Sequence, residues 1–230
     1  MKIRAILFDV YRTLLHVGDA PAGAEAGWQN LCRERLNSGP VASLDEVSAA
    51  CREVVAADHA AARQAGIAFP EVDWPSVFQR AFAPAKPLNL QALEEFLIQH
   101  AGLARTVSLM PGAAEFLHAC QKLRIPCGIA SNAQAYTLCE LTDALAPAGL
   151  DLGIFESRLT FWSFENGFSK PDPHVFRILA ARLAGQGIPA QSALMIGDRE
   201  DNDIRPAQAM GFQTFLFQPP PAEARWPALA

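Results

Sequence analysis

The chain has 230 residues, half of them hydrophobic, so it is long enough to bury a large core in one domain or two. Its formal net charge of −5 and the lack of a long basic run argue against nucleic acid as a partner. No stretch reaches the roughly 18 apolar residues of a membrane span, and the five scattered cysteines fit buried reduced thiols. We therefore expect a cytoplasmic protein without membrane contact.

The first predicted element is a buried strand. The run from Ile3 to Phe8 is almost continuously apolar, which is typical of a strand covered on both faces. The pattern then changes to helix periodicity from His16 to Ser108, with almost no strand signal. A capping box from Ser43 to Glu46 predicts one helix start there. Further helical stripes occupy Trp28–Leu36, Trp74–Phe82 and Leu90–Gln99.

The remainder of the chain alternates between strands and helices. The predicted strands are Cys127–Ala130, Ala193–Ile196 and Thr214–Phe217, with a weaker one at Arg158–Phe161. The predicted helices are Ala113–Lys122, Gln134–Leu145, Pro173–Ala184 and Asp203–Met210. This alternation predicts an α/β fold with a doubly wound parallel sheet, a Rossmann-like core, and an inserted α-helical cap. We assign residues 1–15 and 109–230 to the core and 16–108 to the cap, with a loose tail from Pro219 to Ala230.

Asp9 directly follows the first apolar run, so the predicted sheet places it at the carboxyl edge, where parallel sheets hold their active sites. An ionised carboxylate is costly to bury there unless it faces a metal ion or hydrogen-bond donors. Thr13, four residues further on, has a hydroxyl that can donate to Asp9. The structural alternatives are that Asp9 caps a turn and that Thr13 packs through its branched side chain.

Two later segments carry candidate anion-binding groups. The hydroxyl of Ser131 and the amide of Asn132 can donate to a phosphate oxygen, helped by the positive end of the following helix. Helix capping is the alternative role for both residues. Lys170 lies just before a helix start that Asp172 and Pro173 explain as N-cap and first helical residue. Capping does not explain Lys170.

Asp198 and Asp203 follow the predicted strand that ends at Ile196. Carboxylates that converge from two strand ends form a hard oxygen site, which suits Mg²⁺ because this ion combines one or two protein carboxylates with water and substrate phosphate. The alternative is an acidic loop that begins a helix, since acidic residues favour helix N-termini.

Four segments carry these groups: Ile6–Leu14, Ile129–Asn132, Ser169–Pro173 and Ile196–Asp203. In this order they resemble the four sequence motifs of the haloacid dehalogenase superfamily, whose members mostly transfer phosphoryl groups through an aspartyl intermediate. The resemblance implies that Asp9 is the nucleophile and that Lys170 neutralises both the nucleophile and the substrate phosphoryl group. It also implies that Asp9, the backbone carbonyl of Tyr11 and Asp198 bind Mg²⁺. Asp203 would then orient Lys170 or a metal-bound water.

Two residues depart from the family pattern. Most phosphatases of the superfamily have a second aspartate two residues after the nucleophile, which protonates the leaving oxygen and later activates water. Tyr11 stands there instead, and a tyrosine with a pKa of about 10 can donate a proton but is a poor base at neutral pH. Arg12 stands where the family usually has glycine, so we expect an altered turn or a guanidinium near the anion site.

We predict a hydrolase of this superfamily, a Mg²⁺-dependent phosphatase that acts on a small phosphate ester through an aspartyl-phosphate at Asp9. Tyr11 is instead typical of the L-2-haloacid dehalogenases, which need no metal, although these enzymes have a serine at the place of Asp198. The second possibility is therefore a 2-haloacid dehalogenase that uses Asp9, Tyr11 and an arginine of the cap such as Arg33 or Arg35. The third is a non-catalytic member that serves as a binding or interaction module.

Overall fold

The computed structural model describes residues 2–39, 41–218 and 226–229. The strands are β1 (Ala5–Phe8), β2 (Leu15–Gly18), β3 (Thr106–Leu109), β4 (Cys127–Ser131), β5 (Phe161–Trp162), β6 (Ala193–Gly197) and β7 (Gln213–Leu216). The helices are α1 (Ala24–Leu36), α2 (Leu44–Gln64), α3 (Trp74–Ala81), α4 (Leu90–Ala104), α5 (Ala113–Leu123), α6 (Tyr136–Leu145), α7 (Ser163–Asn166), α8 (Pro173–Ala184) and α9 (Arg205–Ala209). Among the described residues, no helix has the length and apolar character that crossing a bilayer requires.

Five parallel strands form the central sheet, in the order β5-β4-β1-β6-β7. The strand order reverses beside β1. A crevice forms at this point, at the carboxyl ends of the strands, and sheets of this type bind their ligands in it. This arrangement confirms the predicted doubly wound α/β fold. The weaker predicted strand, Arg158–Phe161, differs from the structure in its bounds. Strand β5 begins only at Phe161, because Ser157–Leu159 forms a 3-10 turn.

The side chains of β1 alternate between two hydrophobic clusters, one on each face of the sheet. Ile6 and Phe8 pack with Phe116 of α5, in a cluster that also includes α6. Leu7 packs with Phe176 of α8 in the opposite cluster. Each of these side chains contributes about 1.5–3 kcal/mol through burial, so the sheet and its two helical layers fix the strand that leads to Asp9.

The last predicted helix begins differently from the expectation. Residues Glu200–Ile204 form a π-helical turn, and α9 starts only after it. This turn is wider than an α-helical turn because the amides of Asp203 and Ile204 both donate to the Arg199 carbonyl, at 2.9 and 3.3 Å. This turn brings Asp203 back toward the end of β6.

A separate helical cluster lies between β2 and β3. Helices α1–α4 pack around Trp28, Phe78 and Phe96. The capping box at the start of α2 is present, with the Ser43 amide donating to Glu46 at 2.7 Å. Sequence patterns missed the antiparallel pair β2 and β3, because each strand has only four residues and β3 is partly exposed. The predicted division at residues 15/16 and 108/109 falls inside this pair.

The prediction of a loose tail is wrong for its end. Trp226 stacks on Phe116 with ring centroids 4.9 Å apart, and its indole Nε1 donates to the Pro111 carbonyl at 3.0 Å. A single tryptophan in a Pro/Ala-rich stretch has no periodicity, so the sequence contained no signal for this contact. Residues 219–225 and Ala230 lie outside the described residues.

Candidate active site

The carboxyl ends of the three central strands bring the predicted groups together. Asp9 follows β1, Ser131 ends β4, and Asp198 follows β6. The amide of Asp9 donates to the Ile196 carbonyl at 2.9 Å, so the residue is held in the sheet ladder. Lys170 enters from the segment before α8, whose start is fixed by the Asp172 side chain as N-cap. Packing of parallel strands thus gathers residues that are far apart in the chain.

Lys170 lies between two carboxylates. Its Nζ donates to Asp9 Oδ1 at 2.7 Å and to Asp203 Oδ1 at 2.5 Å. The exposed fractions are only 8% for Asp9, 2% for Lys170 and 1% for Asp203, so this is a buried charge cluster. Such a cluster is stable only when its partners stay paired, since removal of one leaves an uncompensated buried charge.

The cluster shifts the pKa values of its members. Burial raises the pKa of the Asp9 carboxyl to about 6, against the opposing attraction of the Lys170 ammonium. Burial acts to lower the pKa of Lys170, but the neighbouring Asp9 and Asp203 carboxylates outweigh it and the pKa is raised. The lysine therefore carries a fixed positive charge beside the candidate nucleophile.

Asp203 is fixed from two sides. Its second oxygen, Oδ2, accepts from the Arg199 amide at 3.0 Å, while Oδ1 accepts from Lys170. Gly197 ends β6 directly against it, and a Cβ at that position would lie 2.4 Å from Asp203 Oδ2. The Asp203 carboxylate thus occupies the space that a side chain at position 197 would fill.

Three carboxylates form the group that can hold a metal. Asp9, Asp198 and Asp203 each offer an oxygen atom, and these atoms lie within 4.8 Å of one another. Burial and the nearby Asp203 charge raise the pKa of Asp198. A hard, octahedral cation such as Mg²⁺ fits this donor set and offsets the mutual repulsion of the carboxylates.

The predicted substrate-binding residues differ in their contacts. Ser131 is fully buried, and its Oγ has no hydrogen-bond partner among the described residues. Buried hydroxyls are rarely left unpaired, so this atom is available to a bound group. Thr13 Oγ1 donates to Asp9 Oδ2 across a long 3.5 Å contact. The side chain of Asn132 is occupied by the backbone of Lys170, with bonds of 2.7 and 2.8 Å to its amide and carbonyl.

Tyr11 makes its polar contacts with residues of α6 and the end of α4. Its hydroxyl donates a short hydrogen bond to Glu140 and lies 2.7 Å from Thr137 Oγ1. Arg105 donates to the same hydroxyl at 2.8 Å, and its guanidinium lies 4.7 Å from the Tyr11 ring centroid. Burial raises the pKa of Tyr11. Sequence reasoning missed Arg105, Glu140 and Thr137, because no local pattern links them to Tyr11.

Arg12 adopts the backbone conformation that a glycine takes easily. Its φ angle is 63°, in the left-handed region, and its amide donates to the Leu15 carbonyl at 2.6 Å. The turn at this position therefore has a left-handed residue even without glycine, at a cost of about 1–2 kcal/mol. The side chain is exposed, and its charge lowers the pKa of Asp198 against the larger effect of burial.

The two arginines considered for a dehalogenase lie on α1. Both are exposed, and their described side-chain partners belong to the helical cluster itself. Arg33 donates to Asn30 at 2.8 Å, and Arg35 lies 3.8 Å from Glu95.

A doubly wound sheet with carboxylates and a lysine at its carboxyl edge is an arrangement typical of α/β enzymes. Residues 3–211 match the family model of the haloacid dehalogenase-like hydrolases. The chain therefore belongs to this hydrolase family.

Three relatives illustrate the likeness. Over 115 residues the chain is 34% identical to ribulose-1,5-bisphosphate 5-phosphatase of Halopiger xanaduensis, which covers 49% of this chain and 44% of that protein. The chain thus matches less than half of this curated relative. Its fold is similar to a 2-haloacid dehalogenase from Pseudomonas syringae pv. Tomato DC3000, with a TM-score of 0.59 and 21% identity over 98% of this chain and 90% of that one. A putative hydrolase of the same family from Bacillus subtilis, bound to magnesium, gives a TM-score of 0.52 and 23% identity over 94% and 87%.

Proposed function

We propose that the protein is a Mg²⁺-dependent phosphatase that acts on a small phosphate ester. The observation that carries this proposal is the Lys170 ammonium, which contacts Asp9 within a group of three carboxylates. A dianionic substrate can approach an anionic nucleophile only where positive charge offsets their repulsion. The partial match to a phosphatase supports a phosphate ester as the substrate class.

In this proposal a carboxylate oxygen of Asp9 attacks phosphorus while the bond from phosphorus to the leaving oxygen breaks. Lys170 holds Asp9 in place, and the unpaired Ser131 hydroxyl donates to a phosphoryl oxygen. Asp9, Asp198 and the backbone carbonyl of Tyr11 would hold Mg²⁺, which would supply Lewis-acid stabilisation of the phosphoryl charge when bound. Water then cleaves the acyl phosphate, which restores Asp9 and releases inorganic phosphate.

The contacts of Tyr11 set the expected preference for the leaving group. Its hydroxyl proton is directed to Glu140, so the leaving oxygen departs without an efficient acid. General acid catalysis usually contributes about 10²–10⁴-fold. Aryl or acyl phosphates, which leave readily as anions, should therefore be hydrolysed much faster than alkyl phosphates.

The second candidate is a metal-independent 2-haloacid dehalogenase, favoured by the tyrosine two residues after Asp9. That chemistry needs an uncoordinated carboxylate to displace halide, and a cation bound at Asp9 would lower its nucleophilicity. Asp198 beside Asp9 is therefore against it. The third candidate, a non-catalytic binding protein, would keep the fold without turnover.

The deciding experiment measures phosphate release from an aryl phosphate and halide release from 2-chloropropionate, each with and without Mg²⁺. We expect Mg²⁺-dependent phosphate release and no halide release. Metal-independent halide release that disappears in Asp9→Asn would establish the dehalogenase instead. Inactivity in both assays would favour the non-catalytic protein.

The metal part of the proposal has its own test in Asp198→Ala. Removal of this carboxylate leaves too few hard oxygens, so Mg²⁺ binding measured by calorimetry and phosphatase activity should both be lost. Asp73→Asn, at an exposed residue that caps α3 and is not among the three carboxylates, serves as the matched control. Full activity of Asp198→Ala in EDTA would show that the metal assignment is wrong.

A further inference from the structure

A short segment of the helical cluster pairs with the core directly before Lys170. The amide of Glu71 donates to the Gly167 carbonyl at 3.0 Å, and the amide of Ser169 donates to the Phe69 carbonyl at 2.9 Å. Pro70 and Phe168 lie opposite one another as an antiparallel bridge. The residue that follows Ser169 is Lys170, so this junction holds the backbone that carries the lysine.

The side chain of Glu71 joins a second core loop to the same junction. Its Oε1 accepts from Gln134 Nε2 at 2.9 Å, and its Oε2 accepts from the Ser163 hydroxyl at 2.5 Å. Ser163 is fully buried, and its Oγ in turn accepts from the Ala133 amide at 2.9 Å. Gln134 and Ala133 belong to the loop that follows Ser131. One carboxylate from the helical cluster therefore contacts the loop of the candidate phosphate-binding hydroxyl.

The two loops also contact each other through Asn132, whose side chain bonds to both backbone groups of Lys170. The distance between the Ser131 hydroxyl and the Lys170 ammonium depends on how these loops are held. Reaction rates are sensitive to such distances, since a shift of about 1 Å in a catalytic group can cost about 10²-fold. The buried Ser163 hydroxyl has two acceptors, Glu71 Oε2 at 2.5 Å and the Ala133 carbonyl at 3.2 Å, and the charged carboxylate is the nearer and stronger one.

We propose that Glu71 is a positioning residue that sets Ser131 and Lys170 in register only while the helical cluster lies against the sheet. The helical cluster then contributes to the reaction by completing the phosphate-binding geometry of the core. This inference rests on the proposed phosphatase activity, but the junction can be tested with inorganic phosphate alone.

The test exchanges the two partners of the side-chain pair. Glu71→Gln replaces the charge-assisted hydrogen bonds to Gln134 and Ser163 with weaker neutral ones, and Gln134→Glu places two carboxylates opposite each other. Each single variant should lower kcat for an aryl phosphate by about 10–100-fold with a smaller change in KM, and should weaken the binding of inorganic phosphate. The double variant Glu71→Gln, Gln134→Glu restores one amide and one carboxylate, and should recover most of both losses.

Hydrogen–deuterium exchange separates positioning from a loss of folding stability. In Glu71→Gln the amides of Ser169 and residue 71 should exchange faster, while the Asp9 amide, which bonds to Ile196, should keep its protection. Asp73→Asn is the matched control, since asparagine caps α3 as well as aspartate does and Asp73 accepts from Ser76 within the cluster. It should leave exchange, phosphate binding and kcat unchanged.

Each outcome decides between the inferences. Unchanged phosphate affinity in Glu71→Gln, equal acceleration of exchange at Ser169 and Asp9, or no recovery in the double variant would overturn the positioning role. If the unmodified protein hydrolyses no phosphate ester, the proposed function fails. In that case, weaker phosphate binding in Glu71→Gln with recovery in the double variant still supports the junction.

Discussion

Gly197 ends β6 at the point where Asp203 turns back toward Lys170. The contact is so close that a methyl group on Gly197 would lie within 2.5 Å of three atoms of Asp203. An ordinary side chain at this position would displace the carboxylate that accepts from the lysine at 2.5 Å. The charge cluster thus depends on a residue that contributes no functional group.

We expect Gly197→Ala to push Asp203 away from Lys170. Overpacking of this kind costs about 1–3 kcal/mol in the free energy of unfolding, measured by urea denaturation. Phosphatase activity should fall by about 10–100-fold, because Lys170 loses one of its two anchors. Gly102→Ala is the control, since nothing lies within 4 Å of its added Cβ in α4 and alanine favours the helix. Equal effects of the two substitutions would contradict this account of Gly197.

Single residues also show where sequence reasoning succeeded and where it stopped. Asp9 and Lys170 could be named because each stands in a segment that resembles a family motif. The structure places Lys170 Nζ 2.7 Å from Asp9 Oδ1. The contacts of Tyr11 could not be named, because Arg105 and Glu140 reach it from other elements and follow no spacing rule. The sequence could not predict whether the turn at Arg12 is altered, since the surrounding packing determines whether a residue other than glycine adopts a positive φ angle.

Among the elements, α4 contains a histidine that is kept neutral by its packing. The His100 ring lies 5.4 Å from the centroid of Trp28 and 5.1 Å from that of Phe78. Burial, with a smaller contribution from Arg105, lowers the pKa of His100 to about 4. In the unfolded chain His100 binds a proton below a pH of about 6.5, whereas in the folded protein it binds one only below about pH 4.

The contribution of His100 to stability should therefore fall as the pH decreases from about 6.5 to about 4, because over this range His100 binds a proton in the unfolded state but not in the folded state. The raised pKa of Asp9 acts in the opposite direction below about pH 6. The slope due to His100 is at most about 1.4 kcal/mol per pH unit. His100→Phe keeps an aromatic ring in the cluster and removes the titrating group. The free energy of unfolding of this variant, relative to that of the unmodified protein, should therefore rise as the pH is lowered. Urea denaturation at pH 7 and at about pH 4.5 measures the difference. The same pH dependence in both proteins would mean that His100 is not responsible.

Elements whose ends are fixed by local chemistry could be predicted well. The capping box at Ser43 and the Asp172–Pro173 pair each mark a helix start that the structure shows at α2 and α8. Strands β2 and β3 could not be predicted, because the paired residues Leu15 and Leu109 are separated in sequence by the whole helical cluster. A four-residue strand gains most of its stability from such a distant partner, and the chain between them carries no mark of it.

For the whole molecule, the described C-terminal residues complete one face of the core. Trp226 packs against Phe116, Phe217 and Phe8, with ring centroids 4.9, 4.7 and 6.3 Å apart. Phe8 is the last residue of β1, directly before Asp9. The end of the chain therefore supports the central strand that carries the candidate nucleophile, although it is remote in sequence.

We expect Trp226→Ala to lower the free energy of unfolding by about 2–4 kcal/mol, somewhat less than for a fully buried tryptophan because Trp226 is partly exposed. The loss combines the aromatic contacts with the hydrogen bond to Pro111. Trp226→Phe should recover part of it, since the ring remains while the indole N–H is lost. Leu90→Ala, at a residue that is 63% exposed, is the control and should change stability by less than about 0.5 kcal/mol. If Trp226→Ala unfolds at the same urea concentration as the unmodified protein, the C-terminal residues do not contribute to the core, and β1 is stabilised by the sheet and the helices on its two faces.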